Sequence, residues 1–183
     1  RSTQAKTLFP YTTLFRSGLV KKLVPEALTA AAFAPFGEVM AVDAAKTPIS
    51  INAGNTERFH DLARLEAGPD GKLIVSIFRG QPRQLPFAVT MLERHPLGSQ
   101  AFMPLGDQPY LVVVARPGPA PGPDELRAFL AQPGQGVNYA PGTWHHPLLA
   151  LNEIGDFLVV NRSGPGNNCD EVAIEPPLSL SLD

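Results

Sequence analysis

The stretch "FAVTMLERHPLGSQAFMPLGDQPYLVVVAR", Phe87–Arg116, holds two apolar runs rich in β-branched residues, Phe87–His95 and Tyr110–Arg116. Proline and glycine punctuate the segment between them. Runs of this length bounded by turn residues read as strands. The same reading extends upstream to "KLIVSIFRG" (Lys72–Gly80) and downstream to "HPLLAL" (His146–Leu151) and "DFLVVNR" (Asp156–Arg162). Evenly spread strands that do not alternate with long helices predict a mainly β fold, an antiparallel barrel or double-sheet jelly roll. Most of the 20 prolines and 16 glycines fall between these runs.

Two segments read instead as short peripheral helices. In "VPEALTAAAFAPFG", Pro25 stands at a helix start, apolar residues run through Phe33, and Pro35 and Gly37 stop it. In "PGPDELRAFLAQPG", Asp124 stands as cap or first-turn acid, Leu126, Phe129 and Leu130 share a face, and Pro133-Gly134 ends the run. The Pro- and Gly-rich "ARPGPAPGPDE", Ala115–Glu125, reads as a rigid surface loop.

The N-terminus reads differently. "TLFPYTTLFRS", Thr7–Ser17, matches residue for residue the translation of a common short-read sequencing adapter, so residues 1–17 are expected to be an artefactual tail. Residues 18–183 are then expected to form one domain with one core. The tail holds Arg1, Lys6 and Arg16 and no acid, which leaves the body with 12 basic and 17 acidic residues. That balance argues against nucleic-acid and anionic-membrane partners. No apolar run approaches the length that spans a bilayer. Cys169, the one cysteine, has no partner for an internal disulfide. A cytoplasmic protein acting on a small molecule is the expectation.

Three polar clusters interrupt the apolar pattern. Glu93 and His95 are two apart, hence on one strand face, and Gln100 follows the Gly98 turn. "APGTWHHP" carries His145 and His146, which as strand neighbours must face opposite ways. "INAGNTERFHDLA" groups Asn52, Asn55, Arg58 and His60. The spacing Glu93-x-His95-x4-Gln100, then Gly106, then Pro141-Gly142-x-x-His145 resembles the two motifs of the cupin superfamily. The family's first motif supplies two histidines and a glutamate, and its second supplies one histidine. Here Glu93 takes the first histidine position and Gln100 the glutamate position. The set Glu93, His95, Gln100 and His145 could hold a borderline divalent ion. Equally, Glu93 and Gln100 could form hydrogen bonds around a metal-free pocket. In the cupin register His145 faces inward and His146 outward, and Arg94, alternating with Glu93 and His95, faces away from them. Cys169 has no basic neighbour to activate it.

The motifs "NAGNTERFHDLA", "VSIFRGQP", "MLERHPLGSQAFMPL", "GVNYAPGTWHHPL" and "DFLVVNRSGPGNNCDE" together resemble the ureidoglycolate lyase family of allantoin degradation, from about Leu23 to Glu171. The resemblance implies a cupin-type barrel, a homodimer, a nickel cofactor, and cleavage of ureidoglycolate to glyoxylate and urea. His95 and His145 are the candidate catalytic residues, with either one as base if no metal is present. Arg58 is the candidate partner for the substrate carboxylate. Asn52, Asn55 or Asn138 would hold the urea amide, with His60 beside them. A non-catalytic cupin binding a small carboxylate, and a hydrolase releasing a different nitrogen product, are the alternatives.

Overall fold

A computed structural model of the chain describes residues 20–43 and 46–183; the adapter-like tail lies outside the described residues. Two sheets face each other. The larger runs β1 (Lys22–Leu23), β15 (Asp170–Leu180), β7 (Phe87–Arg94), β12 (Trp144–His145), β9 (Tyr110–Ala115), β10 (Arg127–Ala131) and β2 (Glu26–Ala27), with β13 (Leu149–Ala150) also on β9. The smaller runs β3 (Gly37–Met40), β11 (Gly136–Tyr139), β8 (Gln100–Pro104), β14 (Gly155–Ser163) and β6 (Lys72–Gly80). All pairings are antiparallel except β1 with β15 and β10 with β2. A separate hairpin joins β4 (Ile49–Ile51) to β5 (Thr56–Arg58). The fold is mainly β, as the strand pattern predicts, and cupin-like, as the motif resemblance implies.

Strand alternation divides the side chains between two cores. Val112 and Val114 of β9, Phe129 and Ala131 of β10, Val137 and Tyr139 of β11, Phe102 of β8, and Phe157 and Val159 of β14 fill the space between the sheets. Their neighbours Leu111, Val113, Ala115 and Ala128 belong to a second core on the other face of the larger sheet, with Leu92, Trp144 and Ile174. Strands buried on both faces read as continuous apolar runs, which is what "YLVVVA" displays.

The second predicted helix is a strand. Only Pro123–Glu125 turns, as a single 3-10 turn, and Arg127–Ala131 pairs with β9 and β2. The run between Pro123 and Pro133 is short, and both faces of its centre are buried, so helical and strand periodicities coincide there. Pairing with two neighbours decided the outcome. The first predicted helix is cut to α1, Ala30–Phe33. Glu26–Ala27 is drawn into β2 instead, and Thr29 caps α1 by accepting from Ala32 N at 3.2 Å. The predicted strand His146–Leu151 starts two residues early, at Trp144, and breaks at Pro147, which has no N–H for the ladder.

Candidate functional site

The inward face of the smaller sheet is apolar until its last rung. Phe157, then Phe102 with Val137 and Val159, give way to Tyr139, Gln100 and Asn161, which sit side by side on β11, β8 and β14. Opposite them, the inward rung of the larger sheet carries Glu171, Glu93, His145 and Val114. His95 follows two residues after Glu93. Two polar rungs therefore meet at one end of an otherwise apolar barrel. Gly37, opposite Tyr139, has φ +146° and lets the backbones close in, since a Cβ there would stand 1.9 Å from Asn138 O.

The rungs touch through aromatic rings. Tyr139 stacks on His145 at 4.2 Å with 5° between planes, and His95 lies 5.2 Å from His145. Glu93 Oε1 stands 3.9 Å from both His95 Nε2 and His145 Nδ1. One ligand atom from each of Glu93, His95 and His145 lies within 4.8 Å of the others.

The hydrogen bonds fix which nitrogens are free. His95 Nδ1 meets Asn168 O at 2.6 Å, and His145 Nδ1 meets His146 O at 3.3 Å. A carbonyl only accepts, so each Nδ1 carries a proton, and Nε2 is the nitrogen left to offer a lone pair in a neutral ring. Both Nε2 atoms are buried without a hydrogen-bond partner, and so are Gln100 Oε1 and Asn161 Oδ1. Buried acceptors ordinarily have partners. Three of these four are N and O donors beside a carboxylate, with the imidazoles oriented by backbone carbonyls as metal-binding histidines are. The residues fit a borderline divalent ion.

Burial sets the protonation states. The His145 imidazole is pushed down to about 3, first by burial and then by His95. Burial pushes the Glu93 carboxyl up, against the pull of His95, and Glu171 adds to the rise. Burial and then the charge of Glu93 raise the Tyr139 phenol, which stays protonated.

The other candidates lie elsewhere. His146 packs edge-on against Phe87 and bonds Pro147 O through Nδ1, outside the cluster. Arg94 faces outward, 4.5 Å over the Trp144 ring and 2.9 Å from Asp170. Asn138 alternates with Tyr139 and so faces away from the imidazoles; its Nδ2 donates to Glu38 Oε2 and Arg64 O. It fastens the segment after the hairpin to the outer face of the sheet. Asn52, Asn55, Arg58 and His60 are exposed on and just after the β4–β5 hairpin. Met40, the last residue of β3, pairs with Gly136, at the end of the sheet opposite the Tyr139 rung. The hairpin forms a sheet of its own and pairs with neither of the other two. Arg162 is buried but donates to the carbonyls of Ala67, Pro69 and Pro165. Cys169 is exposed, its thiol pushed up by burial and by Glu93, Glu171 and Asp170, and it groups with Glu93 and Glu171 at the rim.

Tyr139, Asn161 and Glu171 were not singled out from sequence. Asn161 carried a usable signal, since in "FLVVN" it continues the buried alternation of Phe157 and Val159 with a polar residue.

With two imidazoles and a carboxylate meeting at a barrel end, comparison with known proteins decides the family. The ureidoglycolate lyase family model matches residues 20–181. The chain belongs to the ureidoglycolate lyase family. It is 55% identical over 165 residues to a ureidoglycolate lyase of Burkholderia mallei (strain NCTC 10229), covering 90% of this chain and 96% of that protein. It is 53% identical to one from Pseudomonas savastanoi pv. phaseolicola, over the same shares of both chains. Ureidoglycolate lyase 1 of Rhizobium meliloti is 55% identical over 148 residues, 80% of this chain and 85% of that one. The family relationship thus spans both polar rungs.

Proposed function

We propose that this protein is a ureidoglycolate lyase, cleaving ureidoglycolate to glyoxylate and urea in allantoin catabolism. One observation carries the reading: in a chain of this family, His95 Nε2, His145 Nε2 and Gln100 Oε1 are buried acceptors without protein partners. Cleavage requires the carbinol hydroxyl to lose its proton, the C–N bond to break with its electron pair on nitrogen, and that nitrogen to gain a proton. Glu93, His95, His145 and the Gln100 oxygen are the residues that would hold a divalent ion, nickel by family resemblance. Such an ion, when bound, supplies Lewis-acid polarisation of the hydroxyl and carboxylate oxygens and lowers the hydroxyl pKa.

The protein's own groups divide the remaining work. His145, held neutral by burial, is a lone-pair donor and a poor proton carrier at neutral pH. Glu93, raised by burial and next to both imidazoles, is the base for the hydroxyl proton. Tyr139, stacked on His145 and kept protonated, is the proton donor beside the departing nitrogen. The apolar barrel behind Tyr139 excludes water.

The protein is further read as a cytoplasmic homodimer. No helix among the described residues is long and apolar enough to cross a membrane. The outer face of the smaller sheet supports the dimer: Val75 and Ile77 of β6 are 67% and 56% exposed beside Leu158 and Val160. Contiguous apolar patches of this kind mark association surfaces.

The test is turnover of ureidoglycolate by the purified protein, with glyoxylate, urea and ammonia measured separately. Equal glyoxylate and urea without ammonia, lost on chelation and restored by a divalent ion, is the expected result. Ammonia in place of urea makes the protein a hydrolase, and no turnover leaves a carboxylate-binding cupin.

A further inference from the structure

The four orphaned acceptors of the mouth are not all explained by a metal. Asn161 Oδ1 is buried and unpartnered, on a residue outside the Glu–His–Gln–His set. It projects from the same rung as Gln100, whose side chain is itself 95% buried and also unpartnered at Oε1. Neither carboxamide nitrogen has a hydrogen-bond partner among the described residues, and neither is among the buried unpartnered atoms. The register on β14 settles the direction. Phe157 and Val159 are buried in the space between the sheets, Leu158 and Val160 line the outer face, and Asn161 follows the first pair. Gln100 and Asn161 thus form a two-amide ledge across the barrel end from Glu93 and His145.

We infer that Asn161 is the residue that recognises the ureido end of the substrate. This rests on the lyase reading above and adds a specificity-determining contact to it. A ureido group presents a carbonyl acceptor and N–H donors side by side. A carboxamide presents the complementary pair, Nδ2–H to the ureido oxygen and Oδ1 from a ureido N–H. Two parallel hydrogen bonds to a planar group satisfy the orphaned oxygen and orient the C–N bond toward Glu93. A buried site built to hydrogen-bond its ligand discriminates strongly against analogues lacking the matching group, because its own polar atoms are then left unpaired. Asn138, which the sequence also offers for this role, is engaged with Glu38 and Arg64, and the asparagines of the β4–β5 hairpin are exposed.

The experiment compares Asn161→Ala and the volume-preserving Asn161→Leu with the unmodified protein, loaded with its divalent ion. Two probes are titrated: oxalurate, a stable analogue carrying both carboxylate and ureido groups, and glycolate, which keeps hydroxyl and carboxylate but has no ureido group. Both variants should bind oxalurate about ten-fold or more weakly, since two net hydrogen bonds are lost. Glycolate affinity, metal content and melting temperature should stay unchanged. KM for ureidoglycolate should rise in proportion. Equal weakening of both probes, or a fall in bound metal, would make Asn161 a metal or packing residue and overturn the inference. So would unchanged oxalurate binding in a protein that turns over ureidoglycolate. Absence of ureidoglycolate turnover in the unmodified protein would instead remove the lyase reading on which the inference stands. If one variant fails to fold, the other decides.

Discussion

His95 and His145 have the same device at the scale of single atoms: Nδ1 is tied to a backbone carbonyl, and Nε2 is left bare and dry. The tie fixes tautomer and ring orientation before any ligand arrives. Replacing either histidine by glutamine keeps a polar side chain but loses the oriented lone pair. Metal content should fall along with kcat/KM in both variants, by at least the roughly 10–100-fold in affinity that loss of a group merely orienting a ligand costs. Glu93→Gln should lower kcat by about 10²–10⁴-fold, as expected for loss of a general base, and should lower metal content too, since the same carboxylate belongs to the ion-holding set. His146→Ala should stay within roughly three-fold of the unmodified enzyme, because that ring contacts Phe87 rather than the cluster; steady-state kinetics on the four variants checks the ordering. Burial of neutral His145 also fixes a pH dependence. Its folded pKa is about 3 against about 6.5 for the free side chain, so below about 6.5 the unfolded chain binds more protons than the folded one. The stability it contributes is fully present above about 6.5 and is lost progressively as pH falls toward about 3. A metal-free melting series across that window should show the decline, and His145→Gln should flatten part of it.

At the scale of elements, β9 and β14 were legible because β-branched runs between turn residues admit no other reading. β10 was not, because a short run buried on both faces shows no periodicity that separates strand from helix, and only its pairing with β9 and β2 decides. The same pairing shortened α1, whose cap at Thr29 carries the entry of the chain into the barrel; Thr29→Ala should cost about 1 kcal/mol in denaturant unfolding and leave kcat unchanged. The Glu93, His95 and His145 grouping was legible through spacing on strands. Asn138 was misassigned because a polar residue's side of a strand depends on a register that the sequence does not print, and one residue's shift reverses it. The place of Arg58 was not legible for a different reason: a cluster of polar residues in sequence says nothing of where its hairpin points. That hairpin pairs with neither of the two larger sheets, and Arg58 is exposed on it. Arg58→Ala should therefore change kcat/KM by no more than roughly three-fold, whereas a direct carboxylate partner lost from a buried site costs ~2–5 kcal/mol. Kinetics on this one variant separates the two placements.

At the scale of the whole molecule, the polar mouth and the apolar outer face belong to different surfaces of the smaller sheet. Tyr139, Gln100 and Asn161 point inward, while Leu158, Val160, Val75 and Ile77 point outward on the same strands or their pairs. One chain supplies Glu93, His95, Gln100 and His145, so association through the outer face leaves the cluster within a single subunit. Val75 and Ile77 are already solvent-exposed in the protomer, so lysine at both positions should leave the subunit's fold intact. In a dimer, the same two ammonium groups would be buried without partners, which costs far more than the lost methyl contacts. The double variant Val75→Lys/Ile77→Lys should therefore weaken association by roughly 100-fold or more, read by light scattering over a concentration series. Its kcat/KM, assayed as the monomer, should stay within a few-fold of the unmodified protein. Dimerisation that survives the double variant would move the interface to another surface. Monomerisation with a large loss of activity would mean that a neighbouring subunit completes the mouth, and the exposed β4–β5 hairpin with Arg58 would be the first element to test there.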